Sequence, residues 1–231
     1  MVIQCELTPL AEHAIADVLQ MIPQALDVLE DADIDFACGG ARSLHEAAAA
    51  AGYDVDDLIG MIEARPVPDD VVDWSQRPLI DLTEFLVADH KDLALRRVPE
   101  MRDAIARAMA LHPDAPELPR IALLLSNFAA TVTMHMAHEE RDLFPWIATA
   151  EQGTAVRLGQ RVLREHVEHK VLRERLRTMR ELAARVEPDG ELYAALRKFS
   201  RSIHEHMHLE NNVLYPRAIE IENRLRERLS C

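Results

Sequence analysis

The side chains with the most chemical potential in this chain lie in two short repeats. "HMAHEERDLFPWI" at 135–147 and "HMHLENNVLYPRA" at 206–218 both read His-Met-x-x-Glu, three residues, then Leu, an aromatic and Pro. Within each, a histidine and a glutamate stand four residues apart (His135 with Glu139, His206 with Glu210), which places them on one helix face. The first pair shares its stripe with Phe128, Val132, Met136 and Leu143, the second with Ile203, Met207, Val213 and Leu214. Apolar stripes of this kind turn inward. A carboxylate on such a face must be neutralised, paired or bound to metal, because an isolated buried charge is very costly. No Lys or Arg shares these stripes. A metal ion resolves the conflict and accounts for the histidines.

Each repeat is preceded, one helix earlier, by an acid–His pair: Asp89-His90 and Glu165-His166. His90 lies in phase with Leu86, Val87, Leu93 and Ala94, and His166 with Val162, Leu163 and Val167. His90 and His166 fall early in their helices, and His135 and His206 late in theirs. Antiparallel packing brings all four to one end of the bundle. The expected site is two ions bridged by Glu139 and Glu210, each capped by two histidines, with an oxo or hydroxo bridge and room for a small ligand. Imidazole with carboxylate and no thiolate suits iron or manganese. One helical His, or one HxxxE pair, is ordinary packing. Two pairs in matching contexts, with two more histidines at matching depth, are not. His138, His169, His204 and His208 fall off the stripes and are expected to face solvent or to back the ligands. His112 is in phase with Met101, Ile105 and Met109. It follows His90 by six turns, roughly 33 Å along a helix, and reads as a C-terminal residue of its helix.

These residues need long helices to position them, and the composition supplies helix. The chain has 231 residues, 48% hydrophobic, with only 7 Gly and long runs of Ala, Leu, Glu and Arg, an all-α profile. Four long segments are expected near 79–111, 117–150, 154–186 and 189–228, broken by "HPDAP", "EQG" and "EPDG". They suit an antiparallel up-down-up-down four-helix bundle over 79–231. A proline-rich stretch at 66–78 reads as a linker. Before it, residues 1–65 form a small helical unit, with helices expected at Pro9–Met21, Pro23–Asp31, Ala41–Ala51 and Val55–Ala64 and a Cys-Gly-Gly turn at 38–40.

The formal net charge of −14 argues against nucleic acid as a partner, because phosphates reward clustered Lys and Arg. No apolar run approaches the roughly 20 residues of a membrane span, so no membrane association is expected. The opening "MVIQCELTPLAEHA" lacks the layout of a signal peptide. Cys5, Cys38 and Cys231 are too few and too scattered for a disulfide scaffold. The expected location is cytoplasmic. A homodimer stands as one option for the oligomeric state.

On these residues the chain resembles the hemerythrin-like HHE domain and, more narrowly, the repair-of-iron-centres family of ScdA/YtfE type. "DIDFACGGARSLHEAAAAAG" is similar to that family's N-terminal domain. "HKDLALRRVPE", "HMAHEERDLFP", "LREH" and "HMHLENNVLYPRA" are similar to its bundle. The resemblance implies a non-haem di-iron protein that restores iron-sulfur clusters damaged by nitric oxide or oxidants, by iron donation. It implies iron-sulfur proteins as acceptors and oxygen or nitric oxide as small ligands. Carried over by motif, the ligands are His90, His135, Glu139, His166, His206 and Glu210, and His112 also falls at a family histidine. One departure stands out: Ala37 replaces the first of two adjacent family cysteines, leaving Cys38 ahead of a helix, where the dipole favours thiolate. A sensor of oxygen or nitric oxide, or a nitric oxide or peroxide reductase, would use the same iron. The Cys-Gly-Gly unit favours an iron-donating repair protein over a turnover enzyme.

Overall fold

The structure, a computed structural model, describes residues 9–67, 72–154 and 156–229. Cys5, Cys231, most of the opening segment and the centre of the proline-rich stretch lie outside the described residues. The chain divides into two compact units, 1–76 and 77–231.

The first unit contains α1 (Ile15–Met21), α2 (Ala25–Asp31), α3 (Leu44–Ala51) and α4 (Val55–Glu63). Ile15, Val18, Val28, Leu29, Leu44, Ala48, Leu58 and Ile62 form its core. The helix expected from Pro9 is interrupted, because His13 and Ala14 are extended. There the chain pairs with the segment before α3: Ile15 N–H donates to the Arg42 carbonyl and Leu44 N–H to the His13 carbonyl, both at 2.9 Å. α3 starts at Leu44 rather than Ala41 because Ser43 and Glu46 form a reciprocal capping box. Gly52, at φ 81°, ends it in the left-handed conformation that glycine adopts without a Cβ penalty.

The second unit is the four-helix bundle. α5 covers residues 79–111, α6 Glu117–Glu151, α7 Gly159–Val186 and α8 residues 191–229. α5 packs on α6, α6 on α7, α7 on α8 and α8 on α5, closing a ring. Short connections make successive helices antiparallel. α7 starts at Gly159 rather than 154, because Val156 and Leu158 bury their side chains and the Leu158 N–H donates to Glu222 Oε2 at 2.8 Å.

Three of the four bundle helices contain a π turn: Leu93–Arg97 in α5, Glu139–Leu143 in α6 and Leu209–Leu214 in α8. Each is followed, two residues after it ends, by a proline: Pro99, Pro145 and Pro216. A proline has no N–H for the carbonyl four residues back, and its ring crowds that carbonyl. Widening the preceding turn relieves both problems. α7 has no proline and runs as unbroken α-helix. At Pro99 the disruption therefore takes the form of a π turn.

α6 is long and apolar enough, by length and composition, to cross a membrane, which the sequence reading did not anticipate. From Ile121 to His138 it carries no Asp, Glu, Lys or Arg, and its polar positions there are Ser, Asn, Thr and two histidines. Its inward stripe of Ile121, Leu125, Phe128 and Val132 is buried within the bundle, as expected for the core helix of a packed domain.

Each hairpin is tied by one carboxylate. Glu151, ending α6, accepts from the N–H groups of Leu79 (2.7 Å) and Ile80 (3.0 Å) at the start of α5. Glu222 of α8 accepts from Leu158 ahead of α7. Both satisfy orphan helix-start donors and complement the dipole. Glu151→Ala and Glu222→Ala are each expected to cost about 1 kcal/mol of bundle stability. The two losses should be additive in urea unfolding, because the caps belong to different hairpins.

Candidate metal centre

Six side chains converge inside the bundle, and all are buried: His90, His135, Glu139, His169, His206 and Glu210. They form two overlapping groups, His90, Glu139, His206 and Glu210, and His135, Glu139, His169 and Glu210, each compact enough to hold a metal ion. Both glutamates lie on π turns, where the widened backbone turn carries them.

Each histidine has its Nδ1 committed. His90 Nδ1 lies 2.9 Å from Glu140, and His135 Nδ1 lies 2.9 Å from Glu168 and 3.0 Å from Glu165. His169 Nδ1 lies 2.9 Å from Asn211 Oδ1, and His206 Nδ1 2.8 Å from Asp89. These oxygens only accept, so each Nδ1 carries the proton. In the neutral ring every Nε2 then presents a lone pair. His90 Nε2 faces His206 Nε2 at 3.2 Å, and His135 Nε2 faces His169 Nε2 at 2.9 Å.

The carboxylates lie between these facing pairs. Glu139 places Oε2 3.5 Å from His90 Nε2 and Oε1 3.5 Å from His135 Nε2. Glu210 places Oε1 3.2 Å from His206 Nε2 and Oε2 3.2 Å from His169 Nε2. Glu139 Oε2 and both oxygens of Glu210 are buried and receive no hydrogen bond. Orphaned carboxylate oxygens and converging imidazole lone pairs repel one another unless protons or a cation intervene. The donor set therefore fits a metal.

The electrostatics without metal follow the same tension. Burial pushes Glu139 well above the usual carboxylate range, and the Glu210 charge reinforces it. Burial also opposes the ionised form of Glu210, but His206 and His169 outweigh it and hold its carboxyl well down. Burial lowers His135, yet Glu139 and its neighbours raise it to about 10. His206, likewise opposed by burial, is raised to about 10 by Glu210 and Asp89. Burial and the charge of His206 push His90 down.

Of the six residues read from the sequence, the structure brings together His90, His135, Glu139, His206 and Glu210. It does not bring in His166, whose place is taken by His169. His166 is half-buried, and its Nδ1 bonds to the Val162 carbonyl at 2.8 Å. The neighbours assigned to its stripe, Leu163 and Val167, are 66% and 56% exposed. The inward face of α7 is instead Val162, Glu165, His169, Leu172, Leu176 and Met179. "EHVEH" offers two acid–His pairs three residues apart, and a short apolar stretch does not separate their phases. The signal that does is "DHK" at 89–91 against "EHK" at 168–170.

Two other histidines expected to lie off the stripes, His204 and His208, are buried, and His138 is half-buried beside Glu165 and Asp142. Tyr215 was not anticipated: fully buried, it donates to Glu139 Oε1 at 2.7 Å and stacks on His169. His112 caps the far end of α5, 3.5 Å from Glu187, and belongs to neither group. In the first unit Cys38 is half-buried, and its backbone N–H donates to Asp35 Oδ1 at 2.9 Å. It stands six positions before Leu44, the first residue of α3. A Cβ at Gly39 would fall 2.4 Å from the Asp35 carbonyl, so that turn requires glycine.

Comparison with known proteins gives matches over both units. Residues 81–218 match the hemerythrin HHE cation binding domain, and residues 11–65 match the ScdA_N domain. The iron-sulfur cluster repair protein YtfE of Yersinia pseudotuberculosis serotype IB (strain PB1/+) is 31% identical over 210 residues, covering 87% of this chain and 94% of the relative. The YtfE protein of Yersinia pestis (strain Pestoides F) matches with the same identity and coverage. The bundle is thus of the hemerythrin HHE class. The chain belongs to the YtfE-type family of iron-sulfur cluster repair proteins.

Two outcomes follow for the metal. His169→Ala is expected to lower metal affinity by more than about tenfold, while His166→Ala leaves metal content unchanged. Elemental analysis of the purified variants checks both. Binding must also displace the protons that His135 and His206 hold up to about 10. Affinity should therefore rise between pH 6 and 9, with proton release visible by calorimetry in buffers of different ionisation enthalpy. Affinity that does not change with pH would contradict that protonation.

Proposed function

We propose that this protein holds two iron ions per chain and supplies iron for rebuilding damaged iron-sulfur clusters. The observation that carries the two-ion reading is the placement of both carboxylates. Each has one oxygen toward the His90–His206 pair and the other toward the His135–His169 pair. A single ion would leave one histidine pair and one oxygen of each glutamate unused. The proposed ligands are His90 and His206 for one ion, and His135 and His169 for the other, with Glu139 and Glu210 bridging. An oxo or hydroxo group would complete the coordination. The likeness to the YtfE repair proteins supports repair as the purpose of that iron.

Bound iron supplies the metal that a damaged cluster lacks. The chain's own residues hold it and set how easily it leaves. Asp89, Glu140, Glu168 and Asn211 fix each imidazole in the Nδ1–H form, so that Nε2 is the donor. Apolar residues such as Leu86, Phe128, Val132 and Phe144 line the surrounding core and keep water from competing. The acceptors are iron-sulfur proteins, reached in the reducing cytoplasm. Cys38, in its tight Gly-bearing turn, is the proposed thiol contact to an acceptor, acting without a second cysteine because Ala37 stands beside it.

The test is to mix the iron-loaded chain with an iron-sulfur enzyme stripped of part of its cluster. About two irons per chain by elemental analysis, and recovered enzyme activity with loss of iron from this protein, are expected. Failure of the enzyme to recover, with iron retained, would refute donation. Glu210→Leu is expected to abolish the coupled di-iron signal in Mössbauer spectra while leaving the far-UV circular dichroism helical. A coupled pair surviving in that variant would rule out the bridging role.

A further inference from the structure

The two metal positions are related by an internal repeat. His90 corresponds to His169, His135 to His206 and Glu139 to Glu210. The residues behind them correspond as well: Asp89 to Glu168, each backing a histidine of the other hairpin (His206 and His135), and Glu140 to Asn211, backing His90 and His169. The aromatic after each π turn also corresponds. Phe144 stacks on His90 with centroids 6.0 Å apart and planes at 16°. Tyr215 stacks on His169 at 6.3 Å and 10°. The first ligands are therefore the same in kind at both positions, and the backing groups differ at two places.

Resting on the two-ion reading above, we propose that Tyr215 makes the positions unequal, so that the ion held by His135 and His169 is the first to leave. The Tyr215 hydroxyl donates at 2.7 Å to Glu139 Oε1, the oxygen facing His135. A hydrogen bond to a carboxylate oxygen draws off electron density that it would otherwise give to a cation. Phe144 has no hydroxyl, so the corresponding oxygen, Glu210 Oε1 facing His206, keeps its full donor strength. The second difference acts in the same direction. His90 is backed by the carboxylate of Glu140, whereas His169 is backed by the neutral amide oxygen of Asn211. An anionic acceptor raises the basicity of the imidazole more than a neutral one does.

The remaining histidines do not offset this. His135 and His206 each have carboxylate backing, from Glu168 and Asp89. The extra carboxylate at His135, Glu165, is shared with Arg164 and His138, much as Asp89 is shared with Arg97. Tyr215 is thus a positioning residue for donation. It keeps one ion deliverable while the other holds the site together.

The experiment is iron release from the doubly loaded protein to a colorimetric chelator, followed in time. Two phases of about one iron each are expected. Tyr215→Phe should slow the fast phase about tenfold, within the range known for groups that back a ligand, and leave the slow phase unchanged. Phe144→Tyr should speed the slow phase, which a merely structural role for Tyr215 does not predict. Mössbauer doublets, unequal in the native protein, should draw closer in Tyr215→Phe. Two irons leaving in a single phase, or a fast phase unaltered in Tyr215→Phe while its thermal melt is native, overturns this inference and leaves the donating pair intact. Failure to bind two irons at all overturns both.

Discussion

Two buried carboxylates govern this bundle. Glu139 and Glu210 are fully enclosed, and three of their four oxygens receive no hydrogen bond. Leaving such groups in a core costs several kcal/mol each unless a charge compensates them. The surrounding residues make sense as the response to that constraint. Four imidazoles approach with Nε2 inward, and four oxygen acceptors behind them hold the protons on the outer nitrogens. The centre is poor in protein hydrogen-bond donors and rich in lone pairs, which is the environment of a cation and not of a conventional polar network.

The backbone is shaped to deliver those groups. Pro99, Pro145 and Pro216 each widen the preceding turn, and in α6 and α8 the widened turn carries the glutamate. Eight residues beyond the π turns of α6 and α8, Glu151 and Glu222 hold the starts of α5 and α7, one in each hairpin. The two hairpins follow the same plan and differ in a few side chains. Near symmetry builds a two-position site economically, and the departures from it, at Tyr215 and Asn211, are where the positions acquire different chemistry.

Much of this was legible in the sequence. The HxxxE pairs, the breaks at 112–116 and 187–190 and the all-α composition depend on local periodicity and turn chemistry, which single residues announce. The starts of α1, α3 and α7 were less legible. In each case a contact or cap, such as the pairing of Ala14 with the Ser43 segment or the bond from Leu158 to Glu222, overrode a pattern that reads as helix. The choice between His166 and His169 failed for a related reason. α7 is rich in charge and its apolar residues are sparse, so Leu163 and Val167 imitated a stripe that in the folded chain faces solvent.

By itself the sequence determined the residue types of the site, their depth along each helix and the repeat that doubles them, because those follow from spacing on a 3.6-residue helix. It also determined the family, through motifs that span both units. The tertiary structure decided which of two neighbouring histidines turns inward, which oxygen of each carboxylate faces which histidine pair, and that a tyrosine hydroxyl rests on one of those oxygens. These are matters of helix rotation and of atoms brought together from three or four helices. Helix rotation is set by how all the neighbouring stripes pack at once, and no local pattern encodes it.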